Sequence, residues 1–423
     1  MLLNKHIAVL YSFLVYLISF GLGIPEKEEE SLIEDVKIQD DHQDDSPHIL
    51  PHFPWNTKSH RILQNTLLLG LLDSGYTVTG VFPQSSDIKH SKYTEIVVSD
   101  TFSDMMDLFW KKMMAGKGTN PFLGLLMWPE IIGVFTEALE KSDKENERVF
   151  DILDKQGVNI SAVVYTLPMA YISAKVGDKY PKASLIGMSP PGRALHFSKY
   201  MGTPENPSYI PELAAPAIDP MYFSERLINT IIYAVSEPWI WKILPNPIDI
   251  YGTMSLLEKT SIMLQNSHEV THGAQVLSPN VINVGGLHCK EAKPLPTHFQ
   301  TFLDEASKGA IYVSFGSTLK PSQMTEERKE WFISVFRRLS VYRIIWKWDE
   351  DSIEDLPSNV LLTKWAPQQD ILGHPNIKVF VTHGGLLSLH ETIYHKTPLV
   401  VFLLEMTKPQ TCSEHKRMDM ARC

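Results

Sequence analysis

Short apolar segments alternate with helical patterns along most of this chain, and this alternation restricts the fold more than any other feature of the sequence. His48 to Phe53 is predicted as a first strand and Tyr76 to Phe82 as a second. Between them, Ser59 is predicted to cap a helix that Gly75 ends. Because strands and helices in alternation form a parallel sheet with helices on its faces, the sequence predicts an α/β fold.

The same pattern continues toward the middle of the chain and then weakens. Ser161 to Thr166 and Ser184 to Met188 are predicted as buried strands on either side of a helix near Ala174. From Gly187 to Leu277 the chain is rich in proline and aromatic residues, which is typical of lids and pocket walls.

A second and more regular series of strands follows, after a linker marked by Pro294 and Pro296. A chain of 423 residues suits two domains, and we place them at residues 47–285 and 286–423. Helices are predicted at Gln323 to Leu339 and at Leu386 to Tyr394. The strands predicted in the second domain are Ala310 to Phe315, Tyr342 to Trp346, Val360 to Thr363, Val379 to Thr382 and Leu399 to Leu403.

The charge of the chain is concentrated in one short segment. Lysine and arginine number 39 and aspartate and glutamate 49, so the formal net charge is −10. Residues 26–45 hold ten acidic residues against Lys27 and Lys37, and residues 24–46 are predicted to form a solvated acidic arm. The remainder has no basic stripe, which argues against a nucleic-acid partner. Three cysteines are too few for a disulfide framework or a structural zinc site.

The N-terminal segment, residues 1–23, has the layout of a secretory signal peptide, with a basic start, an apolar run and small residues at its end. The alternative is an uncleaved anchor, since Ile7 to Ile24 is nearly long enough to span a bilayer, and membrane association is expected only in that case. An acceptor sequence for N-glycosylation, Asn159-Ile160-Ser161, fits a lumenal location. We expect a glycoprotein of the endoplasmic reticulum lumen, or a secreted one, because the C-terminal half has no apolar run of anchor length.

Polar residues cluster where predicted strands of the second domain end. His383-Gly384-Gly385 follows one strand, Ser388 lies in the first turn of the next helix, and Glu391 is one turn further along. Ligands bind at the carboxyl ends of parallel strands, and the N-terminus of the following helix favours an anion. Two other strand ends carry Gly316-Ser317-Thr318 and Trp365-Ala366-Pro367-Gln368. Taken singly, each has another interpretation: a tight turn for the glycines, a core position for the tryptophan, and a solvated helix position for the glutamate.

Together these segments resemble the donor-site motifs of the UDP-glycosyltransferase family. The signature is His383-Gly384-Gly385 with Ser388, Glu391 and Pro398, preceded in the same order by Val313-Ser314-Phe315-Gly316-Ser317 and by Trp365-Ala366-Pro367-Gln368. In the first domain, Ser59-His60 and Asn206-Pro207-Ser208-Tyr209-Ile210-Pro211 resemble the animal, insect-type branch. The resemblance extends from about His48 to Phe402.

The resemblance implies the GT-B fold, two facing Rossmann-like domains, of which the first binds the acceptor and the second, incomplete one the UDP-sugar. It implies that Trp365 stacks on uracil, that Gln368 faces the nucleoside and that Glu391 binds ribose. Contacts to the diphosphate or the sugar are implied for His383, Ser388 and Ser317, and close backbone approach for Gly384 and Gly385. The implied reaction is the inverting transfer of a hexose to a hydroxyl group of a small lipophilic acceptor, as in detoxification. No cofactor and no metal is expected, since a helix dipole and side-chain donors neutralise the diphosphate.

Transfer to a hydroxyl group requires a base, and the resemblance assigns that role to His60. A helix N-terminus favours the neutral imidazole that a base needs. The other interpretation of His60 is a histidine that caps a surface helix.

Two departures from the family pattern bear on activity. The family places a carboxylate after a later strand to orient the histidine, whereas Tyr165 to Ile172 contains no acid. The nearest acids, Asp151, Asp154 and Asp178, are poor substitutes by position. After Phe402 the family has an acidic residue and a glutamine that hold the sugar, and this chain lacks that pair, so we expect a truncated or divergent end.

Three hypotheses follow from these residues. The first is an active UDP-glycosyltransferase, and the second is a catalytically impaired remnant that retains a UDP-binding cleft. The third is a metal-binding protein, suggested by 16 histidines, although only His383 and His390 have a spacing that suggests a pair.

Overall fold

The computed structural model describes residues 46–54, 57–100, 140–167, 170–193, 199–210, 221–243, 250–273, 275–316 and 321–402. The predicted signal peptide, the acidic arm up to residue 45, Ser317 and residues 403–423 lie outside these ranges. Contacts divide the chain into two compact units. The second unit contains Thr57–Ser59, Ser267–Gln275 and the chain from Val284 onward, and the first contains the rest. The boundary predicted at residue 286 stays a prediction.

The first unit is built on a seven-stranded sheet in which all neighbouring strands are parallel. Its order is β3-β2-β1-β4-β5-β6-β7, so the chain reverses its direction of growth between β1 and β4. This is the strand order of a Rossmann fold with one added edge strand. The strands are β1 His48–His52, β2 Thr77–Phe82, β3 Tyr93–Val97, β4 Ile160–Thr166, β5 Ser184–Ser189, β6 Thr260–Gln265 and β7 Val281–Asn283.

Helices cover both faces of this sheet. They are α1 Lys58–Asp73, α2 at residues 140–156, α3 Ala170–Lys179, α4 Phe223–Ile243 and α5 Ile250–Glu258. Side chains alternate along the sheet: on β4, Val163 and Tyr165 belong to one apolar cluster, and Ala162 and Val164 to the other. A strand buried on both faces is what a doubly covered parallel sheet requires.

Two expectations for the first unit are corrected by the structure. The region from Gly187 to Leu277, expected to form lids and pocket walls, contains α4, α5 and the inner strand β6. The proline and aromatic residues argued against a helix in the sequence, whereas in the structure Pro238 lies within α4. Helix α1 begins at Lys58, so Ser59 lies in its first turn and is not its cap.

A buried histidine ties the first strand to two helices. His52, at the end of β1, has no exposed surface. Its Nδ1 lies 2.9 Å from Ser173 Oγ on α3, and its Nε2 lies 2.8 Å from Asn146 Oδ1 on α2. Burial lowers the pKa of His52 to about 4, although the Asn146 hydrogen bond opposes this effect. The folded chain therefore keeps this imidazole neutral where an unfolded chain would protonate it.

We expect His52 to make the fold sensitive to mild acid. In the unfolded state His52 is protonated below pH 6.5, whereas in the folded state it is protonated only below about pH 4. The free energy of unfolding therefore decreases as the pH falls from 6.5 to about 4. The contribution approaches about 1.4 kcal/mol per pH unit. Chemical denaturation at pH 7 and pH 5 should show a smaller pH dependence in His52→Gln than in the unmodified chain, with the exposed His298→Gln as control. An equal pH dependence in all three proteins would contradict this assignment.

The second unit is a smaller, five-stranded parallel sheet with the order β10-β9-β8-β11-β12. Its strands are β8 Ala310–Ser314, β9 Arg343–Lys347, β10 Val360–Thr363, β11 Ile377–Thr382 and β12 Leu399–Val401. Its helices are α6 Glu269–His272, α7 Thr297–Asp304, α8 Glu326–Arg338, α9 Gln368–Leu372 and α10 Leu386–Tyr394. The five predicted strands are all present, so the α/β prediction is confirmed for this unit as well.

Apolar clusters lie on both faces of the second sheet. Tyr312 and Phe380 stack on one face, with ring centroids 5.0 Å apart, and the opposite face holds Trp346, Trp348 and Phe332. Helix α8 begins three residues later than predicted, because Thr325 caps it by accepting a hydrogen bond from Arg328 N. In the described part of the chain, no helix has both the length and the apolar character needed to cross a membrane.

Candidate functional site

The order of the second sheet places β8 beside β11, where the strand order reverses. The loops that leave these two strands diverge, and such a switch point opens a crevice at the carboxyl edge of the sheet. Gly316 follows β8, and His383-Gly384-Gly385 follows β11. The two segments that the sequence singled out therefore meet at the position where parallel sheets bind ligands.

Glycines surround the His383 ring at this crevice. A Cβ atom added to Gly316 would lie 2.7 Å from His383 Cε1, and one added to Gly385 would lie 2.7 Å from His383 Nε2. Gly316 and Gly384 also have φ angles of 82° and 81°, which favour glycine. The structure thus adds a reason for the glycines beyond the expected approach of a ligand: they make room for the imidazole.

Three of the predicted donor residues form one hydrogen-bonded group. Gln368, the first residue of α9, donates from Nε2 to Ser388 Oγ at 2.9 Å and to Glu391 Oε2 at 2.5 Å. Ser388 and Glu391 lie one turn apart on α10. Glu391 is only 5% exposed, so the interpretation of this residue as a solvated helix position is wrong.

Further side chains determine the electrostatics around Glu391. Tyr312 OH lies 3.4 Å from Gln368 Oε1, and His288 Nε2 lies 3.5 Å from Glu391 Oε1. Burial raises the pKa of the nearby Cys289 thiol to about 12, with a smaller contribution from the charge of Glu391. Burial also lowers the pKa of His390 to about 4, helped by His288 and His268. Cys289 and His390 therefore stay uncharged at neutral pH.

Trp365 lies just after β10 and is 60% exposed, so it is not a core residue of this unit. Two lysines approach its ring: Lys347 Nζ at 5.1 Å from the centroid and Lys58 Nζ at 5.8 Å. Lys347 also donates to Gly316 O at 2.9 Å. Burial, and then the charge of Lys58, lower the pKa of Lys347. An exposed indole near two ammonium groups suits a flat ring that carries negative charge nearby.

Sequence reasoning missed Lys347 and His288. Lys347 ends β9, at the same sheet edge as the predicted residues, so the rule of carboxyl strand ends was sufficient to find it. His288 lies in the connection between β7 and α7, where no periodicity or strand end marks a residue.

The proposed base belongs to the first unit. His60 is the third residue of α1, is half-buried and follows β1, whose neighbour across the switch point is β4. The first turn of α1 contains no acidic residue. Of the acids considered as substitutes, Asp154 pairs with Lys179 at 2.6 Å and Asp178 with Lys259 at 3.6 Å, both at the surface. Asp151, the third of these acids, is exposed on α2.

The structure brings the predicted residues together only in part. Gln368, Ser388 and Glu391 are in direct contact, and His383 packs against Gly385. Ser317 lies outside the described residues. Within the described ranges, no group of three or more His, Cys, Asp or Glu side chains has an arrangement suited to a metal ion. The individual roles in ligand binding stay predictions.

Comparison with known proteins agrees with this geometry. Residues 58–410 match the family described as UDP-glucoronosyl and UDP-glucosyl transferase. A UDP-glycosyltransferase of Dactylopius coccus is 31% identical over 84% of this chain and 69% of its own length. The UDP-glucuronosyltransferase 2B17 of Homo sapiens is 35% identical over 82% of this chain and 69% of its own length.

Solved structures share the fold at low sequence identity. A UDP-glucosyltransferase from Polygonum tinctorium aligns with a TM-score of 0.55 and 18% identity, over 88% of this chain and 82% of that one. Arabidopsis thaliana UGT89C1 complexed with UDP-L-rhamnose aligns with a TM-score of 0.54 and 15% identity, over 85% and 80% of the two chains. These likenesses show the GT-B fold. Because the family match covers most of the sequence, the chain belongs to the UDP-glycosyltransferase family.

Proposed function

We propose that this chain transfers a hexose from a UDP-sugar to a hydroxyl group of a small lipophilic acceptor, with inversion at the anomeric carbon. The observation that carries the proposal is the hydrogen-bonded group of Gln368, Ser388 and Glu391 at the switch point of the second sheet. It provides a buried carboxylate next to amide and hydroxyl groups, as a ribose with two vicinal hydroxyl groups requires. Trp365 supplies an exposed aromatic face for the uracil.

The proposal assigns the diphosphate to groups of the chain itself. Helix α10 begins at Leu386 after the N-cap residue Gly385, with no side-chain cap and no acidic residue in its first turn, so its free N–H groups can receive an anion. His383, Ser388 and Lys347 stand at the same edge of the sheet. These groups can stabilise the negative charge that develops on the leaving diphosphate, and the proposed reaction therefore requires neither a metal nor a cofactor.

His60 is proposed as the base that takes the proton from the acceptor hydroxyl while its oxygen attacks the anomeric carbon. A single displacement at that carbon inverts its configuration. The electron pair of the breaking bond leaves with the β-phosphate oxygen of UDP, which completes the balance of the step. The partial positive charge at the start of α1 favours the neutral imidazole, which is the form that accepts a proton.

The proposal is tested by calorimetric titration of the full chain with UDP and by incubation with UDP-glucose and a panel of phenols. We expect UDP to bind and a β-glucoside to form, since the donor is α-linked, and the proton coupling constant of the anomeric hydrogen reports the configuration. A chain that neither binds UDP nor forms a glycoside, or that forms an α-glycoside, would overturn the proposal.

One observation favours a second candidate, the catalytically impaired remnant that binds UDP. The segment Tyr165 to Ile172, where the family pattern places the orienting carboxylate, contains no acid in its sequence, and Asp154 and Asp178 are engaged in surface ion pairs. A remnant is expected to bind UDP in the titration and to yield no glycoside at any pH between 6 and 9.

We expect Trp365→Ala to weaken the binding of UDP by roughly 1 to 3 kcal/mol through the loss of base stacking. Trp365→Phe, which keeps an aromatic face, should recover part of this loss. Trp331→Ala is the matched control, since Trp331 is a 49% exposed tryptophan of α8. The measurement is UDP titration together with the melting temperature. Equal UDP affinities in Trp365→Ala and the unmodified chain would exclude the stacking role.

We also propose a lumenal, glycosylated protein of the secretory pathway. Asn159 and Ser161 of the acceptor sequence are both exposed, at the start of β4, so the site is accessible on the folded chain. When the full chain is expressed in insect cells, treatment with peptide N-glycosidase F should increase its electrophoretic mobility. Asn159→Gln should migrate like the treated protein. A mobility that neither the enzyme nor the substitution changes would exclude modification of this asparagine.

A further inference from the structure

His288 is a fully buried side chain that none of the roles above uses. It lies in the connection between β7 and α7, within the second unit. The residue is neither a strand end nor a helix position, so no local secondary structure accounts for its burial. What fixes it are contacts with α9 and α10, the two helices that carry the proposed ribose site.

Helix α9 holds the backbone around His288. Gln369 donates from Nε2 to His288 O at 3.1 Å, and its Oε1 accepts from Lys290 N at 2.7 Å. Asp370 Oδ1 accepts from Lys293 N at 2.8 Å. Gln369 directly follows Gln368, whose side chain contacts Ser388 and Glu391. Consecutive residues of this short helix thus contact both the group of Ser388 and Glu391 and the segment around His288.

The imidazole of His288 points its Nε2 toward α10. Nε2 lies 3.2 Å from Leu387 O and 3.5 Å from Glu391 Oε1. A carbonyl oxygen only accepts hydrogen bonds, so Nε2 carries the hydrogen in this arrangement. The other nitrogen, Nδ1, is buried and has no hydrogen-bond partner. The side chain therefore makes its polar interaction through a single N–H group aimed at the Leu387 carbonyl and the Glu391 carboxylate.

Glu391 needs such a donor. Its Oε2 accepts from Gln368, and its Oε1 faces His288, while the side chain as a whole is 5% exposed. A buried carboxylate without donors on both oxygens is costly and is free to rotate away from a ligand. The N–H group of His288, which bonds to Leu387 O, lies 3.5 Å from this second oxygen.

We propose that His288 is a positioning residue for the donor, which holds the Glu391 carboxylate in the orientation that receives the ribose hydroxyl groups. The inference rests on the proposed function, because it takes Glu391 as the acceptor of those hydroxyl groups. His288 itself does not touch the nucleotide in this proposal.

Three substitutions of His288 distinguish the contribution of its N–H donor from the contribution of its side-chain shape. His288→Gln keeps an N–H donor at nearly the reach of Nε2, whereas His288→Asn is polar but too short to place one there. His288→Phe fills the space without a donor. The readout is the ratio of the dissociation constants for 2′,3′-dideoxy-UDP and UDP, measured by titration of the full chain, because only the ribose hydroxyl contacts enter this ratio.

The unmodified chain is expected to prefer UDP, and Glu391→Ala to lose this preference. His288→Asn and His288→Phe should lower the preference roughly tenfold, the loss typical of a hydrogen bond to a charged group, and His288→Gln should retain most of it. His288→Asn added to Glu391→Ala should cause no further loss, since both changes act on one contact. Melting temperatures establish that each variant folds.

The outcomes distinguish this inference from the proposed function. If the unmodified chain does not prefer UDP, or Glu391→Ala keeps the preference, the ribose role fails and the positioning role falls with it. If Glu391→Ala loses the preference but folded His288→Asn keeps it, only the positioning role is overturned. Should the asparagine and phenylalanine variants not fold, ¹⁵N spectra of the unmodified chain decide. The His288 Nε2 resonance is expected to shift with UDP and not with 2′,3′-dideoxy-UDP, and an identical response to both would overturn the inference.

Discussion

Replacing His60 with alanine is expected to lower the rate of glycoside formation by about 10² to 10⁴-fold, the usual contribution of general base catalysis. UDP affinity should not change, because the proposed contacts to the nucleotide come from the second unit. The comparison requires initial rates at saturating UDP-glucose and phenol, with UDP titrations alongside. His90→Ala serves as the matched control, since His90 is an exposed histidine of the first unit outside the helix that carries His60.

The starting rate matters for this experiment. Without an orienting carboxylate, the unmodified chain is expected to turn over weakly, since loss of the equivalent partner in a serine protease costs on the order of 10⁴ in rate. The His60 variant should still fall below this rate. If the unmodified chain reaches ordinary enzyme rates, or if His60→Ala retains its activity, the base and its missing partner have been assigned wrongly.

Glu391→Ala is expected to weaken UDP binding by roughly 1.5 to 3 kcal/mol, which is the range for a hydrogen bond to a charged acceptor. The variant also leaves Gln368 without one of its partners, so a lower melting temperature should accompany the loss. Glu391→Gln is not a neutral change here, because its amide would place an N–H donor against either Gln368 Nε2 or His288 Nε2. The exposed Glu330→Ala on α8 is the control for a general effect of charge.

The two effects of Glu391→Ala can be separated by temperature. UDP titrations well below the melting temperature of each variant measure binding to the folded chain alone. If the folded variant binds UDP as tightly as the unmodified chain, then Glu391 stabilises α9 and α10 and does not contact the ribose.

The fold of the second unit could be predicted in detail from the sequence because its strands are short, apolar and separated by helices of regular period. The donor segments could be predicted as well, since each follows a strand and the carboxyl ends of parallel strands converge. Their contacts could not. That Gln368 bonds to both Ser388 and Glu391 depends on how α9 and α10 pack, which no pattern within either helix encodes.

Prediction was less successful in the first unit and in the connections. Strand β3 and strand β7 are short edge strands, and α4 contains a proline and bulky aromatics, so none has the periodicity that marks an element. His288 is a single residue that could not be predicted from local sequence patterns either. Its importance comes from contacts 99 and more residues away in the chain, at Leu387 and Glu391.

The two lysines at Trp365 have a consequence for the binding of anions. Burial, and then the charge of Lys58, lower the pKa of Lys347, so the two ammonium groups repel each other. An anion beside the indole would attract both ammonium groups and offset this repulsion. The same anion stabilises the charged form of Lys347, and at alkaline pH its arrival is therefore accompanied by the uptake of protons from the buffer.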